Sequence, residues 1–313
     1  MNYIDINEEA HNLLSKENFT QAQKLFFQNA KSTQSHETYN NLGWYLYTEG
    51  LECKNGKVRN AEKLGLHYLL KAKKIKHTSV NLNNIASVIE GQRNYTYCQT
   101  GVENIELCRA AYQYTKQAVK LKYSNEAEYN RLRFLYLCDS RNTGVLSGLK
   151  KLSKQFKEPI CIEFLLNILC IHAKFHECLE LIPQYQNELD EICLMSMYCL
   201  CGEFEKGAGL CDRIYEKYVL TPEYIAMLAN CLINSGQLKK AMNVKSALKK
   251  DVDSKKKKAQ EFCQKIDQIF DNVEYRMELI QSYQFMPPFL AMCGYFGCKL
   301  HATPFFENTP LHC

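Results

Sequence analysis

Three segments of the chain repeat one arrangement, and that recurrence restricts the fold more than any single residue does. KFHECLELIPQY (Lys174 to Tyr185), EFEKGAGLCDRIY (Glu203 to Tyr215) and QLKKAMNVKSAL (Gln237 to Leu248) each carry an aromatic residue or leucine followed three positions on by a small residue, namely Cys178, Gly207 and Ala241. Upstream of each lies a stretch with apolar residues at helical spacing: Leu165 and Leu169, Leu194 and Tyr198, Leu228 and Leu232. The unit is helix, short turn, helix. From Leu165 to Leu194 is 29 residues and from Leu194 to Leu228 is 34.

Composition agrees with an all-α chain. Hydrophobic residues make up 46% and charged residues 23% of 313 residues, enough for a sizeable core and unlike a disordered chain. Only 14 Gly and 7 Pro leave little turn chemistry for a sheet-rich fold. The net charge of +5 is too small over this length to imply a nucleic-acid or membrane partner. The 16 cysteines read as reduced thiols. The start, MNYIDINEEAHN, has neither the basic nor the apolar region of a signal peptide, and Cys138, Cys161, Cys170, Cys193, Cys199, Cys211 and Cys231 sit in helical apolar patterns. The most apolar run, Pro159 to His172, is broken by Glu163 and Asn167 and is too short to span a bilayer. A cytoplasmic location is expected.

With a period near 34 residues, the chain resembles the tetratricopeptide-repeat family. The most typical unit is YNNLGWYLYTEG (Tyr39 to Gly50) with GLHYLLKA (Gly65 to Ala72); a second is LNNIASVIEG (Leu82 to Gly91) with AAYQYTKQA (Ala110 to Ala118). Other units start near Glu8, Ala127, Pro159, Glu188 and Pro222. The resemblance implies a right-handed α-solenoid of about seven hairpins over residues 1–250, followed by a capping helical segment over 251–283 and a non-repeat tail over 284–313. Two units are long. Residues 51–64 and 92–108 separate their helices by more than a short turn, which implies longer helices or ordered loops.

Asn40, Asn83 and Asn130 each stand two residues before an apolar anchor (Leu42, Ile85, Leu132), which places them at one position of successive first helices. One turn later come Trp44, Ser87, Phe134, Asn167, Ser196 and Asn230. The resemblance implies that these positions line a concave groove, where amide side chains bond to an extended peptide backbone. An amide offers both donors and an acceptor, which suits such a ligand. Trp44 and Tyr47 would supply an aromatic wall. The competing reading assigns the tandem asparagines to structure, because Asn41 and Asn84 match the asparagine with which the family ties one helix to its neighbour.

The last thirty residues, QFMPPFLAMCGYFGCKLHATPFFENTPLHC, contain four Pro and five Phe, with only Lys299 and Glu307 charged. So apolar a segment is expected to dock, either near residues 263–283 or in the groove. Within it Cys293, Cys298, His301, His312 and Cys313 are candidate zinc ligands, although C-x4-C-x2-H is not a standard spacing. The lysines between Lys239 and Lys258 read as a solvated helix face, because no aromatic residues interleave them. No phosphate loop, HExxH, paired CxxC or nucleophile elbow occurs. The expectation is a non-enzymatic scaffold without cofactor, binding a protein or peptide segment and neither nucleic acid nor membrane. Two alternatives stand beside it: a peptide-responsive regulator acting through protein contacts, and a docking carrier whose tail is the substrate of a processing or modifying enzyme.

Overall fold

The computed structural model describes residues 3–14, 16, 18–49, 61–250, 257–292, 294–296 and 305–306. They form two compact units, one of Met1–Gln155 with Pro288–Cys313 and the other of Phe156–Pro287.

The first unit is a row of helical hairpins: α1 (Tyr3–Leu14) with α2 (Phe19–Thr33), α3 (His36–Thr48) with α4 (Ala61–Ile75), α5 (Ser79–Thr100) with α6 (Ile105–Leu121), and α7 (Asn125–Cys138) with α8 (Thr143–Leu152). Short polar residues start most of them. Asn18, Thr78, Asn104, Ser124 and Asn142 each accept a backbone N–H of the following turn, and Ser35 and Thr38 close a reciprocal capping box. Gly43 and Gly65 let α3 and α4 touch. A Cβ on either would stand 2.8 Å from the other's carbonyl oxygen, so any larger residue would force the pair apart. Of the two long connections, 92–108 is mostly helix, because α5 runs on to Thr100 and α6 begins at Ile105. Most of 51–64 lies outside the described residues.

The second unit contains α9 (Pro159–Ile171), α10 (Phe175–Tyr185), α11 (Glu191–Leu200), α12 (Phe204–Ala208), α13 (Cys211–Lys217), α14 (Pro222–Asn234), α15 (Leu238–Lys250), α16 (Lys257–Asp271) and α17 (Val273–Ser282). Pro159 and Pro222 occupy first helical turns, where no N–H is needed. Residues 203–215 read in the sequence as one helix but form two. Gly207 and Gly209 weaken the helix there, and the chain breaks between α12 and α13. Ile266, Ile269 and Phe270 of α16 are buried with Ile214, Leu228 and Val244, and Phe262 packs against that core. Burial pushes the thiols of Cys161 and Cys211 up to about 12, so they behave as small apolar groups. Among the described residues the cysteines are free, and no helix there is long and apolar enough to cross a membrane.

The tail adds one feature that the helical pattern does not contain. Strand β1 (Leu290–Ala291) pairs antiparallel with β2 (Phe305–Phe306), with Leu290 opposite Phe306 and Ala291 opposite Phe305.

An asparagine-lined groove that holds the chain's own tail

In the first unit, α3 and α5 are buried over consecutive residues rather than on one stripe: 40–46 in α3 and 81–90 in α5. A helix buried all round has neighbours on more than one side. One neighbour is its partner helix, and another is the extended tail.

The contacts to the tail are backbone bonds from amides. Asn130 donates to the carbonyl of Leu290 (2.7 Å) and accepts its N–H (3.0 Å). Asn41 treats Phe296 the same way, donating to its carbonyl at 3.0 Å and accepting its N–H at 2.8 Å. Between these paired contacts the carbonyl of Gly294 receives two donors, Asn40 at 2.7 Å and Asn84 at 2.8 Å. Tyr129 donates its hydroxyl to the carbonyl of Pro288 (3.1 Å). The tail thus runs from α7 back towards α3. Alternate residues of a strand turn their N–H and C=O to opposite edges, so Asn130 bonds one edge at Leu290 while the other edge pairs with β2.

The amides also hold one another. Asn40 accepts from Asn84 (3.0 Å) and Asn81 (3.3 Å), and Asn81 donates to the carbonyl of Leu69 (3.0 Å), so the amides that donate to Gly294 are held in one orientation by their neighbours.

Side chains of the tail fill the space between rungs. Phe289 is buried against Phe134, ring centroids 5.8 Å apart, with the Arg133 guanidinium 5.7 Å from the Phe289 ring. Tyr295 stacks on Phe26 (5.6 Å), and Phe296 meets His36 edge-on (5.4 Å). Arg133 also belongs to a buried charge network. Glu90 accepts from Arg93 at 2.8 and 2.9 Å and from Arg133 at 2.6 Å, and Arg93 reaches Glu103 at 2.6 Å. Burial alone would raise the Glu90 carboxyl, but Arg133 and Arg93 outweigh it and hold the group below its ordinary range.

Among the described residues Asn40 and Asn130 therefore bond the tail, whereas Asn83 does not. Its amide is buried, and neither its nitrogen nor its oxygen is bonded among the described residues; Asn84 takes the contact. Asn41, read as a helix tie, also bonds to tail backbone. Trp44 packs on Gly294 and lies 5.6 Å from Tyr47, whose hydroxyl bonds the carbonyl of Ser87. Asn167, Ser196 and Asn230 belong to the second unit: Asn167 bonds the Glu163 carbonyl and Ser196 that of Ile192, each one turn back in its own helix, and Asn230 of α14 donates to the Cys199 sulfur of α11. The tail residues read as zinc ligands, Cys293, Cys298, His301, His312 and Cys313, lie outside the described residues.

The charge network leaves little trace in the sequence. Arg133 lies 43 residues from Glu90, and only the Glu90–Arg93 pair, one turn apart, gives a local signal.

No protein-family model matches the sequence, and no curated protein does. Among solved structures, the chain is similar to a tetratricopeptide repeat protein from Parabacteroides merdae, with TM-score 0.52 and 12% identity over 84% of this chain and 98% of that one. Yeast Tom70 aligns with TM-score 0.39 and 15% identity over 85% of this chain and 63% of that one. The TPR2AB domain of yeast Sti1, solved with pHSP90, aligns with TM-score 0.29 and 10% identity over 88% and 98%. The first likeness shows the fold. The chain is an all-α solenoid of tetratricopeptide-type hairpins.

Proposed function

We propose that the chain is a protein-interaction scaffold whose asparagine-lined groove takes an extended polypeptide segment, and that residues 288–296 compete for that groove from within the same chain. One observation carries this reading: Asn130 and Asn41 each bond both the N–H and the C=O of one tail residue. Amides that bond only backbone recognise extended conformation rather than sequence, while the Phe289 and Gly294 sites restrict what fits between them. Such a groove binds rather than transforms its ligand, and the ligand class is a protein or peptide.

Trp44, the one tryptophan, stands against Gly294 in the groove and reports on its occupancy. In the full chain, Gly294→Val should release the tail and shift Trp44 emission to the red. A synthetic peptide of residues 288–296 should then reverse the shift in a saturable titration. Peptide binding that is equally tight after Asn40→Ala and Asn130→Ala are added would sink the proposal, because each lost bond is worth roughly 1 kcal/mol.

A further inference from the structure

Three thiols of the second unit come from three separate helices and meet at one point. Cys170 lies in the last turn of α9, Cys178 in the first turn of α10, and Cys201 caps the C-terminus of α11. The sulfur of Cys170 is 3.7 Å from that of Cys178 and 3.8 Å from that of Cys201, and all three lie within 4.8 Å of one another. A fourth sulfur, the thioether of Met197, is 3.9 Å from Cys170. We propose that Cys170, Cys178 and Cys201 form a thiolate site for a single thiophilic closed-shell cation, Cu(I) or Zn(II).

The geometry needs little adjustment. A point in the plane of three sulfurs with these separations lies about 2.2 to 2.4 Å from each, and metal–thiolate bonds are about 2.3 Å. Donors that are all thiolate or thioether select soft cations over Mg(II) or Ca(II), and the nearby thioether favours Cu(I) of the two. Backbone dipoles agree with the assignment. The C-termini of α9 and α11 present their negative ends to a cation beside Cys170 and Cys201, and the N-terminus of α10 favours a thiolate at Cys178. Cys178 is fully buried while Cys170 and Cys201 are half-buried, so the cluster has a route to solvent. Binding forms the metal–sulfur bonds and transfers the thiol protons to solvent, with no change of oxidation state.

The test uses the reduced full chain without oxygen, titrated in parallel with Cu(I) and Zn(II) against a chromophoric chelator. One equivalent of one ion should bind, with a sulfur-to-metal charge-transfer band for Cu(I) and an all-sulfur first shell by X-ray absorption. Cys170→Ser with Cys201→Ser should weaken binding more than about 100-fold, beyond the effect of losing an outer-shell partner. Cys231→Ala, in the neighbouring core, should leave it unchanged. On the unaltered chain, alkylation read by mass spectrometry should show the ion protecting Cys170 and Cys201, the two half-buried thiols of the site, but not Cys98 or Cys263, a readout that does not depend on the variants folding. Protection elsewhere, oxygen or nitrogen ligands, or no binding at one equivalent of either ion would overturn the proposal.

Discussion

A Cβ added to Gly294 would stand 2.5 Å from Cδ2 and 2.6 Å from Cε2 of Trp44, so the tail backbone lies directly against the indole where Asn40 and Asn84 converge. Even a methyl group does not fit. Gly294→Ala should weaken tail docking by about 1 to 3 kcal/mol, the usual cost of overpacking, with helix content unchanged. Limited proteolysis after Tyr283 checks this. A tail as resistant as in the parent chain would mean that the groove yields.

Adjacent asparagines of α5 should behave differently. Asn84→Ala removes bonds to Gly294 and to Asn40 and should lower stability by about 2 kcal/mol. The Asn83 amide has no bonded partner among the described residues, so Asn83→Ala should stay within about 1 kcal/mol of the parent. Urea denaturation of the two variants makes the comparison, and equal losses would contradict the assignment of the rung to Asn84.

Glu90 neutralises two buried guanidinium groups. Glu90→Gln leaves both without their common carboxylate and should cost about 3 to 5 kcal/mol at neutral pH. Because the folded carboxyl titrates below its unfolded range, its stabilisation is present above the unfolded value and is lost as pH falls through the folded one. The stability gap between parent and variant should therefore be constant at neutral pH and narrow as pH falls below the unfolded value of 4.5. Urea midpoints measured across the acid range follow the gap, and one that widens towards low pH would refute the sign.

Glu163 moves in the other direction. Burial, with the Asp190 carboxylate adding to it, pushes its carboxyl up to about 7. The folded state then holds its proton more tightly than the unfolded chain, so stability falls as pH rises from the unfolded value of 4.5 to about 7 and levels off above it. Glu163→Gln should remove that decline, a difference on the order of 3 kcal/mol at alkaline pH. Thermal melts across this range provide the check, and parallel curves for parent and variant would count against it.

The hairpins were legible in the sequence because helical periodicity and the small residue that recurs in each second helix are local signals. Leu165 with Leu169, Leu194 with Tyr198 and Leu228 with Leu232 mark first helices, and Cys178, Gly207 and Ala241 mark the segments that follow them, whatever lies elsewhere in the chain. The need of an apolar tail for cover was also legible, from Phe285 to Phe306 with hardly a charge among them.

Only the tertiary structure decided which asparagines meet the tail and which thiols meet one another. Neighbouring positions on a helix point about 100° apart, so the choice between Asn83 and Asn84 depends on how α5 is rotated against its neighbours, which spacing along the chain does not fix. The same holds for Cys170, Cys178 and Cys201. Cys170 and Cys178 occupy ordinary positions in helical patterns and Cys201 follows the end of one, and their sulfurs come together only because α9, α10 and α11 pack with those three turns at one point.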